Sequence, residues 1–347
     1  MKYFITPIIS LFVGLLVAGA FSWSIKPDAG LVVQTLFTVI LLSVLEISLS
    51  FDNAVVNATV LQKMDDVWKK RFLTWGMAIA VFGMRLAFPL AIVSIVAGVS
   101  VSDSLVMAFA KPDDYARMMM SAHLAVSAFG GAFLLMVFLD FLFTEKDLHW
   151  IRIIEKPAGK LSNFQSIELI IAICIMMAVY GKLPADEKVP FLVAFVWGIL
   201  TYLIVHGLSG LLEDERVAKL PMLSSGLGLF LYLEVLDASF SFDGVVGAFA
   251  ISNQLLIIMI GLGIGAFFVR GITLYLVEHK TLEQFMFLEH GAFYALGILS
   301  LFMLLDSFFH FSEAVTALSG AAILASSILW SIKENRKGAA RKNNKSA

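Results

Sequence analysis

Ten mostly apolar runs constrain this chain more than any other feature, and they lie at residues 4–25, 31–61, 72–99, 119–143, 166–181, 189–210, 226–252, 254–278, 290–309 and 312–332. A helix rises about 1.5 Å per residue, so about 20 apolar residues cross a hydrocarbon layer of about 30 Å. Of the 347 residues, 59% are hydrophobic and only 15% charged, with a mean hydropathy of +0.89; soluble domains carry about 25% charge. The sequence therefore predicts an all-α, polytopic membrane protein with about ten transmembrane helices. The fifth run, 166–181, is short for a span.

Lysine and arginine set the expected orientation. Alternate loops divide them 18 to five, with Arg85 and Arg270 left inside spans. That bias predicts cytoplasmic termini. The basic tail, 333–347, reads as a positive-inside anchor and not as a nucleic-acid site. A single cysteine, Cys174, excludes a disulfide within one chain. Lys2 and Ala18-Gly19-Ala20 imitate a signal peptide, but the next apolar run follows so soon that a retained first helix is expected. Residues 144–166 form the longest polar stretch, an amphipathic interfacial segment around Trp150. It lies near the middle of the chain, which is read as an N-terminal half, 1–183, and a C-terminal half, 184–332.

The halves share a motif. Glu46-Ile-Ser-Leu-Ser-Phe-Asp52-Asn matches Asp237-Ala-Ser-Phe-Ser-Phe-Asp243-Gly. In each half the next span carries one arginine, Arg85 or Arg270, and the span after that opens with a histidine, His123 or His290. The motif helices lie five spans apart, an odd number, so they cross in opposite directions. Two inverted-topology repeats follow, with cores at about 35–143 and 228–309 and a site between them at the midplane.

Carboxylates inside a bilayer are expensive unless paired or solvated, so their default reading is functional. At about 100° per residue, Glu46, Ser50 and Asn53 share one helix face, while Ser48 and Asp52 lie nearly opposite. Either the helix breaks near Ser48 to Ser50 and both acids converge, or the two acids serve different neighbours; the first is the favoured expectation. Four acids, Glu46, Asp52, Asp237 and Asp243, against Arg85 and Arg270 leave a charge that one divalent ion balances. Carboxylates, Asn53 and the serines Ser48, Ser50, Ser239 and Ser241 are oxygen donors suited to Mn²⁺, Ca²⁺ or Mg²⁺. Glu234 shares Asp237's side of its helix and supports the site or its entrance. His206 is a candidate proton-handling group, and the arginines are counter-ions or gates. In the plainer reading, Asp52 and Asp243 pair with the arginines and bind nothing. The duplication of so many buried polar groups weighs against it.

The pattern E-x5-D-N at Glu46 to Asn53 and D-x5-D at Asp237 to Asp243, each followed by an arginine-bearing helix, resembles the TerC family of integral membrane proteins. The closest resemblance is to its long, uncharacterised branch, with spans beyond the core. Gly244 stands where relatives carry a serine. TerC relatives are associated with tellurite resistance and manganese export. The resemblance implies Mn²⁺ efflux, with Glu46, Asp52, Asn53, Asp237 and Asp243 as the metal residues.

Together these readings predict a secondary transporter of divalent cations in a cell membrane, the inner membrane of a bacterium. It would work by alternating access with H⁺ or Na⁺ as counter-ion, and without a cofactor or catalytic residue. No nucleotide-binding motif is present, so ATP-driven pumping would need another subunit. The alternatives are a non-transporting scaffold or accessory subunit for metal or tellurite stress, and an exporter of small solutes.

Overall fold

The computed structural model describes residues 2–164, 166–213, 225–309, 311 and 313–343, and no strand occurs among them. The helices are α1 (Ile5–Ile25), α2 (Ala29–Leu49), α3 (Phe51–Gln62), α4 (Asp66–Ala97), α5 (Val101–Ala110), α6 (Pro112–Ser121), α7 (His123–Phe143), α8 (Arg152–Lys160), α9 (Ile167–Lys182), α10 (Lys188–Glu213), α11 (Ser225–Ile251), α12 (Leu255–Glu278), α13 (Leu288–Leu305) and α14 (Glu313–Asn343). Counting α2 and α3 as one interrupted rod, ten rods fall on the ten apolar runs. The chain is a multi-pass, all-α membrane protein. Among the described residues, eight helices are long and apolar enough to cross a membrane. Of the remaining two rods, α9 has only 16 residues, and α11 carries three acids, Glu234, Asp237 and Asp243.

Local chemistry marks several helix ends. Asp28 caps α2 by accepting from the Gly30 and Leu31 N–H groups at 2.8 and 3.4 Å. Asp65 caps α4 through Trp68 N–H at 2.8 Å. At the other end of α4, Gly98 takes φ +65° while Val99 N–H returns to Ser94 O at 3.0 Å, a glycine-terminated helix end. The region of α5 and α6, read from sequence as a loop, folds into two short helices. Within the polar stretch after α7, Arg152–Lys160 form α8, with Ile153 and Ile154 exposed. Glu155 anchors this segment: it accepts from Trp150 N–H at 2.9 Å and faces His290 Nε2 at 3.6 Å.

The apolar surface separates lipid-facing from protein-facing helices. Within the span windows α7 is 78% buried and α13 67%, whereas α1 is 11% and α14 17%. Phe12, Leu16, Phe37, Ile95 and Leu318 stand exposed, a surface that only a lipid phase accommodates.

Contacts between the two repeat units are reciprocal. The α2–α3 rod packs on α12, and its counterpart α11 packs on α4; α3 packs on α13, and α11 packs on α7. Equivalent helices also meet each other: α4 meets α12, α7 meets α13, and α11 meets α2 and α3.

Candidate functional site

The interrupted rod and α11 present their polar residues to one another. Glu46, Ser50, Asn53 and Asn57 follow intervals of four, three and four, which place them on one helical stripe. Asp237 and Ser241 face them from α11. Arg85 of α4, with Arg270 and Thr273 of α12, completes the wall of a cavity of about 20 Å³. A single water needs about 10–15 Å³ on this measure, so the cavity admits one water or one bare ion and nothing the size of an amino acid.

On the first-repeat side the charges are paired, although Arg85 Nε has no hydrogen-bond partner among the described residues. Glu46 and Arg85 are 3% and 2% exposed and form a hydrogen-bonded ion pair, and Ser50 Oγ donates to Glu46 Oε1 at 3.1 Å. Arg85 also donates to Ala80 O, five residues back. The arginine lies in a π-helical stretch, Ile79–Ala87, and a second such stretch covers Phe72–Gly76. These wide turns set the guanidinium's approach to α2. Gly265 of α12 is what lets that approach happen: a Cβ there would fall 2.5 Å from Glu46 Cβ and 2.9 Å from Ser43 O.

The second-repeat side is open. Asn53 Nδ2 donates to Asp237 Oδ1 at 2.7 Å, and Asn57 Nδ2 reaches the same oxygen at 3.4 Å. The carboxylate fixes which way both amides point. Their oxygens, Asn53 Oδ1 and Asn57 Oδ1, are left buried without a donor, as is Glu234 Oε1. Arg270 forms no ion pair within 4 Å among the described residues. Its Nε donates to Met77 Sδ at 3.3 Å, its guanidinium lies 3.7 Å over the Phe72 ring, and its Nη1 has no partner. Gly76 admits the tips of Glu234 and Arg270, since a Cβ would stand 2.5 Å from Glu234 Oε1 and 3.0 Å from Arg270 Nη2.

Among the expected site residues, the structure brings together Glu46, Ser50, Asn53, Asp237, Ser241, Arg85 and Arg270, with Glu234 beside them. Asp52 is not among them. The rod does break, at Ser50, but Ser50 N–H still bonds Glu46 O at 3.0 Å and Ala54 N–H bonds Ser50 O at 3.1 Å. A break that preserves the bonds on both sides does not turn Asp52 round, so the two acids line different cavities. Ser48 and Ser239 donate to Val44 O and Val235 O on their own helices at 2.8 and 2.9 Å. His206 lies beyond the cavity, exposed and stacked on Tyr202. The side chain of Asp243 falls outside the described residues, as do those of 338–347 in the basic tail. The described charges at the cavity are three acids, Glu46, Glu234 and Asp237, against two arginines. They leave one negative charge, not the two that the sequence count gives when it includes Asp52 and Asp243.

Asn57 was not singled out from sequence, although its interval from Asn53 repeats that from Glu46 to Ser50. Beyond it, a wide vestibule of about 580 Å³ is lined by Thr59, Val60 and Tyr232, with Asp140, Asp147 and Glu289 among its charges. It lies on the side that the lysine and arginine count assigns to the cytoplasm. Burial pulls Lys146 in this vestibule below the ordinary lysine range, and the nearby Glu155, Glu289 and Asp140 pull it back up.

No group of three or more His, Cys, Asp or Glu side chains that could hold a metal occurs among the described residues. A family model described as "Protein of unknown function (DUF475)" matches residues 51–338, a range that includes Asp52, Asn53, Asn57, both arginines and all of α11. No curated protein and no solved structure matches the chain.

Proposed function

The chain belongs to the DUF475 family, a family of unknown function, and from the residues themselves we propose that it is a secondary transporter whose cargo is a small, hard cation. Mn²⁺ is the first candidate, from the resemblance to TerC proteins, with Mg²⁺ and Ca²⁺ as the other members of that class. The protein would reside in a cell membrane, the inner membrane of a bacterium, with both termini cytoplasmic, and would export the ion. It needs no catalytic residue or cofactor.

One observation carries this reading: Asn53 Oδ1, Asn57 Oδ1 and Glu234 Oε1 are buried acceptors without donors near Asp237, beside a cavity of single-ion size. Unmet acceptors in a membrane interior are costly, and a cation satisfies several at once. The volume disfavours the small-solute alternative in this conformation.

The asymmetry between repeats supports alternating access. In this state Glu46 is held by Arg85, while Asp237 and Glu234 lack an ion-pair partner within 4 Å among the described residues. The vestibule adjoins the same turn as Asn57, so an ion from that side meets Asp237 first. In the opposite state the roles of the two acids exchange: Arg85 releases Glu46, Arg270 closes on its own repeat, and the ion leaves on the other side. A counter-ion, H⁺ or Na⁺, resets the carriers.

Thermal unfolding of the purified protein tests the cargo. Saturating Mn²⁺ at about 100 Kd stabilises a folded protein by about 2.7 kcal/mol. The wild type should show a clear rise in midpoint with Mn²⁺, and Asp237→Asn should lose it. A wild type indifferent to Mn²⁺, Mg²⁺ and Ca²⁺ would favour the scaffold reading.

A further inference from the structure

Asp52 has a cavity of its own. It measures about 20 Å³ and lies where α2 gives way to α3, walled by Ser48 and Leu49 on one side, Ala295 and Leu299 of α13 on another, and Thr316 and Ser319 of α14 on the third. Asp52 is 7% exposed. Its Oδ1 accepts from Asn53 N–H at 2.9 Å. Oδ2 turns toward Gly320, standing 3.7 Å from where a Cβ on that glycine would lie. Among the described residues, no lysine, arginine or second acid lines the cavity.

The surrounding groups suit a cation. The Ser48 hydroxyl proton is committed to Val44 O at 2.8 Å and that of Ser319 to Thr316 O at 2.7 Å, so lone pairs are what these oxygens have left to offer. A single carboxylate balances one positive charge, whereas a divalent ion commonly recruits more carboxylate. The space takes one unhydrated ion, and neither nitrogen nor sulfur is present to select a softer one.

We propose that Asp52, Ser48, Thr316 and Ser319 form a sodium site separate from the central cavity, and that sodium is the ion coupled to transport. This assignment rests on the transport reading for its role but not for its chemistry. The coupling runs through one residue. Asn53 gives its backbone N–H to Asp52 and its side-chain amide to Asp237 at 2.7 Å, so a change at either carboxylate alters what Asn53 offers the other. Both sites also share the interruption at Ser50, where the rod can bend.

The experiment is a sodium titration of the full-length protein at constant ionic strength, with choline replacing Na⁺, read as thermal midpoint in detergent and as Mn²⁺ flux in proteoliposomes. The wild type should be stabilised by Na⁺ over choline. Asp52→Asn should raise the half-saturating Na⁺ at least about tenfold, the scale of losing a supporting group at a metal site, and Thr316→Val should raise it by a smaller factor. Asp237→Asn should keep the Na⁺ response while losing that to Mn²⁺. A wild type insensitive to Na⁺, or wild-type sodium responses in both Asp52→Asn and Thr316→Val, would overturn the site. Retained Mn²⁺ stabilisation without a Na⁺ effect would sink the sodium site alone. An Asp52-dependent Na⁺ effect without any Mn²⁺ response would uphold the site and sink the cargo reading instead.

Discussion

The two motif helices carry the same spacing of acid, serine and aspartate, yet they stand in different electrostatic states. In the first repeat Glu46 is buried against Arg85 and bonded by Ser50. In the second, Asp237 accepts hydrogen bonds from the neutral amides of Asn53 and Asn57, and Arg270 rests on Phe72 and Met77 with no ion pair within 4 Å among the described residues. A purely structural pair would be satisfied in both copies. One paired and one open copy of a duplicated motif is the asymmetry on which the proposed alternating-access reading rests.

The largest test of this contrast is to remove one charged side chain from each side. Glu46→Gln leaves Arg85 buried and unpaired, which should cost about 3–5 kcal/mol in denaturant unfolding, with partial recovery in Glu46→Gln/Arg85→Met. Arg270→Gln should cost no more than about 1–2 kcal/mol, since it forfeits mainly contact with an aromatic face. Equal costs on the two sides would erase the contrast.

The glycines sharpen it further. Gly265→Ala drives a methyl into the base of Glu46 and the Ser43 carbonyl, both fixed, and should cost about 1–3 kcal/mol. Gly76→Ala meets chiefly the movable tips of Glu234 and Arg270, with the Phe72 ring edge at 3.3 Å, so it should cost less and should weaken cation binding instead, as isothermal titration would register.

A smaller effect comes from Lys146. Its depressed pKa means that it loses its proton at lower pH than other lysines, making the vestibule more negative as pH rises. Initial cation entry should therefore increase on the alkaline side, and Lys146→Arg, which stays charged, should flatten that rise in stopped-flow flux. Ser239→Ala should fall within about 0.5 kcal/mol of wild type, because its hydroxyl bonds only its own helix.

Much of this was legible in the sequence. The apolar runs gave the helices, and the stripe of Glu46, Ser50 and Asn53 gave one wall of the cavity by angle alone. That same arithmetic put Asp52 on the opposite face, and the structure keeps it there. The expectation that a break would bring it round failed because the backbone bonds on both sides of Ser50 survive. The partner of Arg85 was not legible: the plainer reading paired it with Asp52, but its approach depends on a π-helical stretch and on Gly265 across the interface. Neither is encoded in the spacing of the polar residues. The second cavity needed α14, which lies outside both repeats.

The central claim is that Asp237 holds a transported cation between the two repeats. Its most direct test is Mn²⁺ flux into proteoliposomes loaded with a metal-sensitive dye, comparing wild type with an Asp237→Asn variant shown to be folded. The account predicts rapid wild-type flux and at least about a hundredfold loss in the variant, equivalent to about 2.7 kcal/mol. Undiminished flux through Asp237→Asn would contradict it.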